Sequence, residues 1–230
     1  VNVPLVSAND LCKVYVTDEI ETRALWQVDL SIEAAEFVSI TGPSGCGKST
    51  LLSILGLMDT PSSGQLLLNG LDTTQFSLWQ RARLRNELIG FVFQSFHLVG
   101  NLTAVDNVAL PLSYAGVPKS QRRKVAAEAL ERVDMHHRLN HYPSQLSGGQ
   151  QQRIAVARAI VSDPKLILAD EPTGNLDSEN GMQIMQLLRE VHLQGTTVCL
   201  VTHDERHADF ADRKIRLLDG QVTTKAVETP

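Results

Sequence analysis

Gly42, Pro43, Ser44, Gly45, Cys46, Gly47, Lys48 and Ser49 follow a short apolar run at 37–41 and precede Leu51, Leu52, Ile54 and Leu55, which fall at helical spacing. The order is strand, glycine-rich turn, helix. The three glycines let the main chain curl until successive N–H groups face one point, and the helix that follows adds the positive end of its dipole. Such a turn cradles an anion. The pattern G-x-x-x-x-G-K-[ST] in this setting predicts a bound phosphate chain, with Lys48 on the outer phosphates and the Ser49 hydroxyl offered to Mg2+. A glycine-rich turn with an incidental lysine is the competing reading. A phosphate loop of this kind belongs at the carboxyl end of a strand in a parallel sheet, which restricts the fold to the α/β class.

The remainder of the chain agrees. Strand-like segments at 5–16, 24–32 and 37–41 form a β-rich entry, and further strands are expected at 66–69, 89–93, 166–169, 196–201 and 215–218. Ile184, Leu187, Leu188 and Val191 repeat at i, i+3, i+4, i+7, as do Ala126, Ala129, Leu130 and Val133, so each set predicts an amphipathic helix. Strands alternating with helices predict a mainly parallel sheet covered on both faces, preceded by an antiparallel β subdomain. Between 96 and 162 strand signals fade, and this stretch reads as an inserted α-helical subdomain, leaving 1–95 and 163–230 as the core of one domain. The last ten residues, rich in Thr, Lys and Glu, read as a loose tail.

Composition removes several function classes. With 43% hydrophobic and 20% charged residues over 230 positions, the chain is neither disordered nor collagen-like. Its net charge of −5 supplies no field for gathering a phosphate backbone, so nucleic acid is not expected as a partner. No apolar run approaches the roughly 18 residues of a membrane-spanning helix. The opening residues lack the basic start and apolar stretch of a signal peptide, which leads us to expect a cytoplasmic location. Cys12, Cys46 and Cys199 are odd in number and unpaired by spacing, suggesting neither a disulfide framework nor a zinc site. Cys46, inside the phosphate loop, is either a thiolate-prone nucleophile or a buried inert thiol.

Two further motifs carry chemistry. Residues 166–169 are apolar and end in Asp170 and Glu171, where ligands bind in such sheets; Asp170 is placed to hold Mg2+ and Glu171 to polarise an attacking water. Leu146, Ser147, Gly148, Gly149 and Gln150 open a helix running through Ile154, Val156, Ala157 and Ile160. Bare amides and a hydroxyl at a helix start form a second anion site.

This combination resembles the ATP-binding cassette proteins, and the resemblance covers nearly the whole chain. It implies a P-loop NTPase core that binds ATP with Mg2+ through Gly42 to Lys48, Ser49 and Thr50, with Ser49, Gln94 and Asp170 on the metal. It implies a head-to-tail dimer in which Ser147, Gly148, Gly149 and Gln150 of one copy close on the nucleotide of the other. Tyr15 resembles the aromatic that stacks on adenine, the alternative being a core aromatic. Gln94 resembles the glutamine whose loop touches a membrane partner, Asp177 a residue of the loop crossing the dimer interface, and His203 the histidine that contacts the γ-phosphate. With Glu171 and His203 present, the resemblance implies hydrolysis. Ala34 and Ala35 stand before Glu36 where the family usually has a glycine, so this turn must avoid positive φ or tolerate strain.

Phe93 to Leu98, Leu102 to Val108, Tyr114 to Val117 and Asp170 to Asp177 are similar to the macrolide-export and lipoprotein-release (MacB/LolD) group. That likeness implies a separate permease chain of the MacB/FtsX type, a place at the inner face of the cell membrane, and room for a periplasmic adaptor. A soluble cassette ATPase of nucleic-acid or translation machinery is the alternative. Those chains usually carry two cassettes or a long coiled-coil insertion and a basic surface, which this sequence lacks.

Overall fold

The computed structural model describes residues 3–16 and 20–223. In chain order the first elements are β1 (Val6–Val16), β2 (Glu21–Ile32), β3 (Phe37–Thr41), α1 (Lys48–Leu55), β4 (Ser63–Leu68), β5 (Leu71–Asp72), α2 (Leu78–Leu88), β6 (Ile89–Phe93) and α3 (Ala104–Tyr114). The chain continues with α4 (Lys119–Glu131), α5 (Gly148–Ile160), β7 (Leu166–Asp170), α6 (Ser178–Leu193), β8 (Thr197–Val201), α7 (Glu205–Ala208), β9 (Arg213–Leu218) and β10 (Gln221–Thr223). These form two compact units, one made of residues up to 82 together with those from 197 onward, the other of residues 83–196.

In the first unit β1 is the spine of an antiparallel sheet ordered β2-β1-β4-β5. It pairs Val6 with Ile32 on one edge and with Leu68 on the other. Its register shifts after Ala8, next to Asp10, whose φ is 48°. Gly64 makes the crossing possible, since a Cβ there would lie 2.3 Å from the Asp10 carbonyl oxygen. The second sheet of this unit centres on β3, which lies parallel between β8 and β9, with β10 antiparallel on β9. Residues 37–40 and all of β8 are buried, as expected of parallel strands covered on both faces.

The turn entering β3 settles the question posed by its missing glycine. Ala35 adopts φ 56°, the left-handed region that a Cβ disfavours. The strain is held by a hydrogen bond from Ala35 N to Thr197 Oγ1 at 2.9 Å. The turn therefore keeps its conformation and tolerates the alanine.

In the second unit β6 and β7 run parallel, from Ile89 beside Leu166 to Phe93 beside Asp170. Helix α5 packs on β6 at backbone distance, because a Cβ on Gly90 would stand 2.3 Å from the Ala159 carbonyl oxygen. Ala126, Ala129 and Leu130 of α4 and Ile154, Ala155, Val156, Ala157, Ala159 and Ile160 of α5 are buried.

The structure adds elements that periodicity did not expose. Helix α3 carries Pro111 in its interior and buries Asn107 on its apolar face, so its pattern of Val105, Val108 and Leu112 is broken by residues that read as non-helical. Helix α2 buries only Leu84 and Leu88. The loose-tail expectation is corrected in part: Gln221–Thr223 pairs with β9 as β10, and residues 224–230 lie outside the described residues.

Candidate active site

Strand β3 ends at Thr41 and the glycine-rich loop begins at once. Gly47 has φ 101°, and a Cβ there would lie 2.4 Å from the Ala24 carbonyl oxygen; on Gly42 it would lie 2.1 Å from the Leu217 carbonyl oxygen. Only glycine fits either position. The loop is fastened through main chain, with Gly220 N donating to the Cys46 carbonyl at 3.0 Å. Lys48 Nζ donates to the carbonyls of Gly42 and Pro43, each at 2.8 Å, so the ammonium lies inside its own loop. Helix α1 starts at Lys48 with Gly47 as its N-cap and no side-chain cap, leaving its first amides and the positive end of its dipole facing the loop. Pro43, Ser44, Gly45 and Ser49 are exposed, while Cys46 is 3% exposed with its sulfur 3.8 Å from Lys48 Nζ.

Tyr15 lies near the end of β1 and is 43% exposed, which removes the core-aromatic alternative. His203 follows β8, whose Val201 is in register with Ile40 of β3, so His203 and the phosphate loop leave the carboxyl ends of neighbouring strands. His203 is exposed, and the turn behind it is set by Asp204, which caps α7. Hydrogen bonds from Arg206 hold the Asp204 carboxyl down to about 2, its slight burial notwithstanding.

In the second unit the parallel register of β6 and β7 sets the segment beginning at Gln94 beside the one beginning at Glu171. Two reciprocal bonds tie them. Gln94 Nε2 donates to Asn175 Oδ1 at 3.2 Å, and Asn175 Nδ2 donates to the Gln94 carbonyl at 3.1 Å. Gly174 leaves room for the Gln94 side chain, since a Cβ would come within 2.7 Å of Gln94 Nε2 and displace it. Glu171 has φ 45°, a left-handed backbone in the turn that closes with Gly174 N donating to the Glu171 carbonyl at 3.0 Å.

The segment Ser147 to Gln150 is a preformed helix start. Ser147 caps α5, its Oγ accepting from Gln150 N at 3.3 Å while Gln150 Oε1 accepts from Ser147 N at 3.1 Å. The first intrahelical bond runs from Gln151 N to the Ser147 carbonyl, so the amides of Gly148 and Gly149 precede it. A Cβ on Gly149 would stand 2.4 Å from Asn180 Oδ1 at the start of α6. Asp177 caps α6, accepting from Asn180 N at 2.9 Å and from Asn180 Nδ2 at 2.6 Å. These bonds lower its pKa.

Sequence reasoning missed the side chains that shape the segment after Gln94. Phe96 and His97 both have positive φ, 58° and 49°. Arg158 of α5 donates to both of their carbonyls, at 2.7 and 2.5 Å, and burial pulls its pKa below the usual guanidinium value. Gln152, also on α5 and fully buried, donates to the carbonyls of Phe93 and Pro172. Buried Asn107 accepts from Val99 N at 2.7 Å and donates to the carbonyls of Val99, Leu102 and Thr103. One signal was available for Gln152: a polar residue on the buried stripe of α5 formed by Gly149, Val156 and Ala159.

The ABC transporter family profile matches residues 25–174. An ABC transporter ATP-binding protein of Methanocaldococcus jannaschii is 49% identical over 218 residues, covering 95% of this chain and 97% of that protein. The chain belongs to the ABC transporter ATPase family. It is an ATP-binding cassette with the P-loop NTPase fold. The cassette is also 47% identical over 231 residues to the macrolide export ATP-binding/permease protein MacB of Brucella abortus, covering 99% of this chain but 36% of that protein. Among solved structures, the dimeric post-hydrolysis state of the ATP-binding cassette MJ0796 bound to ADP and Pi superposes with a TM-score of 0.90 at 43% identity, covering 98% of this chain and all of that one. Among the described residues no helix is long and apolar enough to cross a membrane, and no three His, Cys, Asp or Glu side chains form a metal cage. The Ser49 hydroxyl in the first unit and the Asp170 carboxylate in the second are each of a donor type that Mg2+ takes, since the ion commonly accepts one or two carboxylates and completes its shell with phosphate oxygens and water.

Proposed function

We propose that this cassette binds and hydrolyses ATP as a head-to-tail pair of copies and drives a separate membrane permease of the MacB/FtsX type. The observation that carries this is the presence on one chain of two anion-facing helix starts, α1 behind the phosphate loop and α5 behind Ser147. A two-fold axis would bring the second kind from one copy onto the first kind of the other, twice over. The MJ0796 cassette, dimeric with ADP and Pi bound, supports the pairing of copies.

In this reading the loop amides at 42–48, Lys48 and Thr50 hold the phosphates, and Tyr15 stacks on the base. Ser49, Gln94 and Asp170 hold Mg2+, which neutralises charge on the outer phosphate oxygens. Glu171 polarises the attacking water and His203 stabilises the charge that develops on the transferred group. Ser147, Gly148, Gly149 and Gln150 of the other copy donate to the outermost phosphate, and Asp177 positions the loop crossing between copies. The helical stretch 96–162 is the lobe that presents this signature. Gln94 then couples nucleotide state to the permease, because its segment is bound both to the Glu171 turn through Asn175 and to α5 through Gln152 and Arg158. The reading includes an export or lipoprotein-release cargo and a place at the inner face of the membrane; the relatives named as macrolide export ATP-binding/permease proteins support its export part.

The test is the ATPase rate per molecule as protein concentration is raised at saturating Mg-ATP. It is expected to climb and then level as copies pair. A rate per molecule that is constant down to the highest dilution would overturn the paired site.

A further inference from the structure

We infer that Asp59 is a positioning residue for the nucleobase, acting through Tyr15 and Lys13; this rests on the proposal that Tyr15 stacks on adenine. Lys13 and Tyr15 are two apart on β1, so they share a face of the strand. Asp59 lies just past the carboxyl end of α1, where its own amide bonds back to the Ser53 carbonyl. From there its two carboxylate oxygens divide their work. Oδ1 accepts from Lys13 Nζ at 2.8 Å and from Thr60 N at 2.7 Å, and Oδ2 accepts from the Tyr15 hydroxyl at 3.2 Å.

The result is a platform with one usable side. Lys13 Nζ, which also donates to the Thr60 carbonyl at 2.8 Å, lies 5.0 Å from the Tyr15 ring centroid and occupies one face by cation–π attraction. The other face is left for a flat, π-bearing group, and base–aromatic stacking is the contact it suits. The strand between them is fixed as well: Val14 N donates to Ser62 Oγ at 3.0 Å, and Ser62 N donates to the Cys12 carbonyl at 2.8 Å. Partial burial pushes the Asp59 pKa up, but the bonds from Lys13, the Thr60 amide and Tyr15 outweigh it and hold the carboxyl below its ordinary value, so it is ionised at neutral pH.

The placement also links two parts of the nucleotide site. Helix α1 has its first residue, Lys48, in the phosphate loop, and Asp59 lies four residues past its last residue, Leu55. One rigid element thereby spaces the phosphate grip from the base platform, so Asp59 is expected to affect recognition of the base and not of the phosphates.

The experiment compares dissociation constants for Mg-ATP and for magnesium inorganic tripolyphosphate, which has no base, in the wild-type protein and in Asp59→Ala, Tyr15→Phe, the double variant and Tyr15→Ala. Asp59→Ala is expected to weaken ATP by about 3- to 10-fold, the scale of one side chain no longer held in place, and to leave tripolyphosphate unchanged. Tyr15→Phe should weaken ATP by a smaller factor within that range and add nothing in the Asp59→Ala background, because the hydroxyl acts through that carboxylate. An equal loss for both ligands in Asp59→Ala would overturn the inference by making the residue merely structural. An unchanged ATP preference in both Asp59→Ala and Tyr15→Phe, with Tyr15→Ala still losing it, would overturn the inference and leave the stacking role of Tyr15 standing. If Tyr15→Ala itself keeps the full preference for ATP, the stacking proposal fails and the inference with it.

Discussion

The phosphate loop and the segment after Gln94 are both irregular, both follow a parallel strand, and are held in shape by opposite means. At 42–48 the geometry is written into the main chain. Gly42 and Gly47 occupy positions where any Cβ would collide with a carbonyl, Cys46 is fastened by the Gly220 amide, and Lys48 bonds to carbonyls of its own loop. At 94–99 no glycine relieves Phe96 and His97 of their left-handed backbones. Their conformation is imposed by side chains of other elements, Arg158 and Gln152 from α5 and Asn107 from α3, with Asn175 holding Gln94. A loop made of backbone presents the same amides whatever surrounds it, which suits a fixed ligand such as phosphate. A loop made of borrowed side chains changes when its lenders move, which suits the coupling role proposed for the segment after Gln94.

Removing one side chain that bonds to each loop should break this contrast if it is wrong. The larger effect on function is expected from Lys48→Ala: ATPase falls by roughly 1,000-fold, on the order of losing a preorganised charge on the reacting group. Its unfolding free energy without nucleotide should change by less than about 1 kcal/mol, because the lost bonds are local, partly exposed and to main chain that glycines already shape. A large loss of stability in urea melts would mean that the lysine, not the backbone, holds the loop. Arg158→Leu should do the reverse. Leaving the Phe96 and His97 carbonyls without their donor is expected to cost about 2–4 kcal/mol in urea unfolding and to expose 94–99 to protease. Arg158→Lys should recover only part of that, since its donors all leave one nitrogen on a shorter side chain, whereas the guanidinium reaches the two carbonyls from two nitrogens held apart in a rigid plane. Full stability in Arg158→Leu would show the segment to be set locally.

The same contrast decides what was legible in the sequence. The phosphate loop, the Ser147 cap and the acids at the end of β7 were readable because each is a contiguous string. The parallel strands were readable from unbroken apolar runs. Even the departure at Ala35 was visible as a problem, though its solution, the Thr197 hydroxyl 162 residues away, was not. Arg158 to Phe96, Gln152 to Phe93 and Tyr15 to Asp59 span 62, 59 and 44 positions, and no local pattern announces any of them. Asn107 and Pro111 hid α3 because each is a poor helix residue, the first retained for four bonds to the loop before it.

In the proposed cycle ATP joins two copies and its hydrolysis parts them. The most direct measurement is gel filtration of Glu171→Gln with and without Mg-ATP, alongside its ATPase rate. Without the carboxylate proposed to polarise the attacking water, nucleotide should bind and persist, and the variant is expected to elute as a dimer with Mg-ATP, as a smaller species without it, and with turnover reduced by at least about 100-fold. A Glu171→Gln protein that stays monomeric in Mg-ATP while hydrolysing at the wild-type rate would contradict the account.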